Sequence, residues 1–75
     1  MSPDKLVYMA NQIGKFFAAQ DHADGSAAVE GIATHLRKFW DPRMRQEIVA
    51  KMRAGEVGGL DPLPRRAIEQ LAAGE

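Results

Sequence analysis

A chain of 75 residues makes one domain, and a domain this short hides only about 60% of its unfolded surface, so support from outside the fold is expected. Cysteine is absent, which excludes disulfides and thiolate metal sites, and the two histidines, His22 and His35, do not make a structural zinc site by themselves. Ten basic side chains balance ten acidic ones, so the molecule as a whole is not steered toward nucleic acid or membrane, and no apolar run approaches the roughly 18–20 residues needed to span a bilayer.

The first predicted element opens at Ser2-Pro3, an N-cap followed by a first-turn proline, and runs to about Gln20. At 100° per residue, Leu6, Met9, Ala10, Ile13, Phe16 and Phe17 fall on one side, with Tyr8, Asn11, Gln12 and Lys15 on the other. That apolar arc is wider than one packed neighbour covers. Ala10, Gly14 and Ala18 add a ridge of small residues suited to close packing, within the domain or against a partner.

The turn Asp21-His22-Ala23-Asp24-Gly25 leads to a second helix reaching about Trp40, capped by Asp24 or Ser26. Its inner stripe is Ala28, Val29, Ile32, Ala33, Leu36, Phe39 and Trp40, and its outer face carries Glu30, Thr34, Arg37 and Lys38. Gly31 sits in the middle, where glycine costs about 1 kcal/mol relative to alanine. It is either tolerated or it permits a close approach.

Asp41-Pro42 forces a corner and starts the third helix, whose apolar side is Met44, Ile48, Val49 and Met52 and which Gly55 ends. The glycine-rich linker from Glu56 to Leu60 is expected to be mobile. Asp61-Pro62-Leu63-Pro64 opens the last helix, with Leu63, Ala67, Ile68 and Leu71 inward and Gly74 as the stop. The expected fold is all-α: one domain over residues 1–75, a small bundle of three to four short helices near 3–20, 25–40, 42–54 and 62–73.

No phosphate loop, paired metal-ligand spacing or cysteine nucleophile occurs, and the acidic residues are scattered or placed as caps. His35 reads as a boundary residue of the second helix, and His22 with its neighbouring aspartates as a solvated turn. No catalytic, cofactor-binding or metal-ligating residue is expected. The strongest local signal is the run His35-Leu36-Arg37-Lys38-Phe39-Trp40-Asp41-Pro42-Arg43-Met44-Arg45. It sets two large aromatics and several basic side chains around a tight corner. Tryptophan and arginine are enriched at interface hot spots, and methionine is an adaptable apolar contact. Each ring is either core or interface, and since they project from opposite edges of the stripe, one can be each. The expected partner-binding residues are Phe16, Arg37, Phe39, Trp40, Arg43, Met44 and Arg45.

The segment from Asn11 to Phe17, the run from His35 to Arg45 and Gly59-Leu60-Asp61-Pro62-Leu63 together resemble the delta subunit of bacterial NAD-dependent formate dehydrogenase. The resemblance spans about Leu6 to Leu71, and Phe39-Trp40-Asp41-Pro42-Arg43-Met44 is its specific part. It implies an accessory subunit of a soluble, cytoplasmic complex whose larger subunits hold the molybdenum or tungsten pterin centre, the iron–sulfur clusters and the flavin. It also implies a clamp or assembly role, with the catalytic (alpha) subunit and the other subunits as partners. This chain shows no ligand set for those cofactors. Its N-terminus lacks the basic and apolar regions of a signal peptide, in keeping with a cytoplasmic place of action. Self-association of the isolated chain and docking on a larger protein are the two supports left open to so small a domain. The alternative is a small helical nucleic-acid-binding module. The short basic third helix after a sharp turn suits it, while the zero net charge and acidic flanks oppose it.

Overall fold

A computed structural model describes residues 3–74, apart from the side chains of residues 3 and 4. The helices are α1 (Pro3–Gln20), α2 (Ser26–Phe39), α3 (Pro42–Arg53) and α4 (Pro62–Ala73), and no strand occurs among the described residues. The chain is all-α, as its periodicity requires. None of these helices is long and apolar enough to cross a membrane. The Ser2 cap expected for α1 lies outside the described residues.

The core forms where the apolar stripes meet. Leu6, Val7 and Ala10 of α1 join Val29, Ile32, Ala33 and Leu36 of α2, Ile48 and Val49 of α3, and Ala67, Ile68 and Leu71 of α4. The most extensive pairing is α2 with α4, followed by α2 with α1. Two close approaches explain the mid-helix glycines. A Cβ at Gly14 would lie 2.9 Å from the Pro64 ring, so the ridge of α1 is used inside the domain, against the first turn of α4. A Cβ at Gly31 would lie 2.6 Å from the Phe17 ring, which is drawn across α2 at the one position without a side chain. The close approach at Gly31 is therefore by an aromatic ring.

The ends of the helices follow from capping chemistry. Gly25 is the N-cap of α2 and makes no side-chain cap bond. Instead the Asp21 carboxylate accepts from the Ala28 amide at 2.9 Å and the Ala23 amide at 2.8 Å, and Asp24 accepts from the Ser26 amide at 3.0 Å. Asp41 caps α3 by accepting from the Arg43 amide at 2.8 Å, with Pro42 next. At the other end Gly55 takes φ +74, its amide donates to the Met52 carbonyl and that of Glu56 to the Lys51 carbonyl, which satisfies the orphan carbonyls of the last turn. Asp61 is the N-cap of α4. Pro64 is accommodated in the first turn, where no backbone donor is needed, and it is buried.

The linker between α3 and α4 corrects the expectation of mobility. Val57 and Leu60 are buried in the core, and Asn11 of α1 clasps the segment from outside. Its side chain donates to the Gly59 carbonyl at 2.8 Å and accepts from the Asp61 amide at 2.8 Å. Glycine composition suggested freedom, but two apolar side chains and a two-way amide clasp tie the segment down.

Candidate protein-binding face

Phe39 and Trp40 are neighbours in sequence with opposite fates. Phe39 is the last residue of α2, while Trp40, whose amide still donates to the Leu36 carbonyl at 3.1 Å, lies in line with buried Leu36, and the chain turns away after it (φ −82, ψ 138). Trp40 is 6% exposed and Phe39 73%. The corner that follows is closed by Arg45. From the first turns of α3 its guanidinium Nη1 donates to the carbonyls of Trp40 at 2.6 Å, Arg37 at 3.1 Å and Leu36 at 3.4 Å. These belong to the C-terminal end of α2, where unpaired carbonyls and the helix dipole attract a cation. Met44 is half-buried and packs against the core. Trp40, Met44 and Arg45, expected from sequence as partner contacts, are thus held in the scaffold of the α2–α3 corner. Arg37 and Arg43 remain exposed.

The other part of the expected surface gathers on α1 and α2. Phe16 is 62% exposed, a large value for such a ring, and packs edge-on against Phe17 with centroids 5.2 Å apart. Phe17 meets His35 at 6.3 Å, and His35 meets Phe39 at 4.8 Å. Four rings from two helices therefore form one continuous band. Two shallow depressions open along it, sharing Phe17 and His35. One, about 460 Å³, runs the length of α2 past Ala27, Gly31 and Thr34 to Lys38 and Phe39, with Glu30 on its rim. The other, about 360 Å³, lies against Gln12, Ile13 and Phe16. Both open along a helix surface, which suits a protein element better than a small molecule enclosed in a pocket.

Phe17, His35, Gly31 and Lys38 belong to this face but were not singled out as partner contacts from sequence. The signal was present: Ala27, Gly31, His35 and Phe39 recur every four residues on α2, and Phe17 lies on the apolar arc of α1.

Asp21, Asp24 and Asp41 have structural tasks. The Asp21 carboxyl is held below the usual carboxylate range by the amide of Ala23 first and that of Ala28 second. The Asp24 carboxyl is also lowered, chiefly by the amide of Ser26 and then its hydroxyl, with Arg66 contributing. Among the described residues no group of three or more histidines and carboxylates is placed to hold a metal ion.

A sequence model of the family described as NADH-dependant formate dehydrogenase delta subunit FdsD matches residues 5–68. No curated protein and no solved structure matches the chain.

Proposed function

The chain belongs to the delta-subunit family of NADH-dependent formate dehydrogenases, and from that premise we propose that it is a non-catalytic accessory subunit that docks on the larger subunits through the aromatic face of α1 and α2. The observation that carries this reading is the exposure of Phe16 at 62% and Phe39 at 73%, joined into one band by Phe17 and His35. Water around such a band is released when a partner covers it, at about 25 cal/mol per Å² of apolar surface. Aromatic anchors are frequent carriers of binding energy, and here Lys38 adds a basic side chain at the margin of the patch. The catalytic subunit is the first partner in this reading, and the subunit works with the assembled complex in the cytoplasm. Docking stabilises this small domain by mass action, and the complex in return gains an added clamp or an aid to its assembly. The carboxylates of Asp21, Asp24 and Asp41 serve as helix caps, in keeping with a scaffold role.

Native mass spectrometry of the remaining formate dehydrogenase subunits with the purified chain tests this directly. Wild type is expected to bind in the micromolar range or tighter. The double variant F16A/F39A is expected to bind about 10- to 100-fold more weakly with an unchanged melting curve. No association of wild type at micromolar concentration overturns the proposal.

A further inference from the structure

We propose that the free chain pairs with a second copy of itself through the groove on α2, the two α2 helices lying antiparallel about a two-fold axis near Thr34. A two-fold interface uses the same patch on both partners, so the patch must be complementary to itself. Two rows along this groove meet that condition. The first row is Ala27, Gly31, His35 and Phe39 at steps of four, two small residues followed by two rings. Reversed against itself, it lays Phe39 of one copy over Ala27 of the other, and His35 over Gly31 and the Phe17 ring that crosses it. The second row is Glu30, Thr34 and Lys38. Reversed, it sets Glu30 of each copy against Lys38 of the other and Thr34 against itself.

The centres of the two rows fall within one residue of each other, so a single axis serves shape and charge together. The antiparallel arrangement also puts the negative end of each α2 beside the positive end of the other. The contact runs along about three helical turns, roughly 18 Å on each copy. It covers much of the aromatic face, so self-pairing and docking on a larger subunit exclude one another. The free subunit keeps its band from water until assembly displaces the second copy. This inference goes beyond the docking proposal and does not rest on it.

Sedimentation velocity of the full chain across the micromolar range is the test. The expected result is a mass that rises from one chain to two with concentration. E30K and K38E each set like charges together twice per dimer and are expected to weaken pairing about 10-fold. The swap E30K/K38E restores both contacts with their signs exchanged, and is expected to recover wild-type pairing. F39D is expected to stay monomeric. Under mild oxidation T34C is expected to give a disulfide-linked dimer, because its two sulfurs meet at the axis, whereas Q46C on exposed α3 is not. All these positions are exposed or solvent-facing, so melting curves of the free monomers should match wild type. A wild-type chain that stays monomeric throughout overturns the proposal. So does a dimer insensitive to K38E, or a swap no better than its single variants. Each of these results leaves the binding of the larger subunits to its own measurement.

Discussion

The α2–α3 corner and the α1–α2 face have much the same composition, aromatic rings with basic side chains nearby, yet the fold buries one and leaves the other open. At the corner Trp40 follows buried Leu36 by four residues and continues its stripe into the core, and Arg45 reaches back to the carbonyls at the end of α2. On the face, Phe16 and Phe39 stay in helical geometry at the edge of the bundle, each touching one neighbouring ring and otherwise left in water by the described residues. An aromatic–arginine cluster is therefore free to serve as an interface only when its polar groups have no internal task and its rings little internal cover. About 100° of helical phase separates the two outcomes for adjacent residues.

The comparison can be broken by substitution. The largest effect on stability is expected from Trp40→Ala, which removes a buried ring and should cost about 3–5 kcal/mol in the chemical denaturation of the free domain. A neutral result would put Trp40 back on the surface. Gly14→Ala drives a methyl to within 2.9 Å of the Pro64 ring and is expected to cost about 1–3 kcal/mol by the same measurement. Arg45→Ala leaves the carbonyls of Leu36, Arg37 and Trp40 without their cation, for an expected loss of about 1–2 kcal/mol. If it instead weakens partner binding and leaves the denaturation curve alone, the corner is interface after all.

Acid should also act on the scaffold. Asp21 and Asp24 have carboxyls lowered by folding, so the unfolded chain binds more protons than the native one over the interval between the two values. Their contribution is complete above the ordinary aspartate range. It is lost as pH falls through the depressed folded values. Urea denaturation of wild type and Asp21→Asn as a function of pH should show the variant with a shallower acid decline. The smallest stability effects, within about 0.5 kcal/mol, are expected for Phe16→Ala and Phe39→Ala, since both rings are largely in water already. A larger loss for either would mean that the ring is packed in the free domain, and the contrast between corner and face would narrow.

Much of the fold was legible in order of residues alone. Leu6, Ala10, Ile32, Leu36, Ile48 and Ile68 recur at helical spacing and are buried, and the Asp41-Pro42 and Gly55 boundaries follow from local capping that involves only near neighbours. The candidate face was legible only in part: Phe39 stood on the expected inner stripe with either fate open to its ring, and the structure leaves both it and Phe16 exposed. The misreadings came from long-range partners. Asn11 looked like a solvent-facing polar residue until a loop 48 residues away met it. Arg45 looked like a free cation until α3 crossed the end of α2.

What local order settles in this protein is where helices start, stop and carry their apolar stripes, because those depend on torsions and hydrogen bonds a few residues apart. Which stripe is sealed and which is left open depends on the packing of four helices at once. That packing buried Trp40, seated Phe17 across Gly31 and left Phe16 and Phe39 in water, since exposure is a property of neighbours in space that spacing along a single helix does not encode.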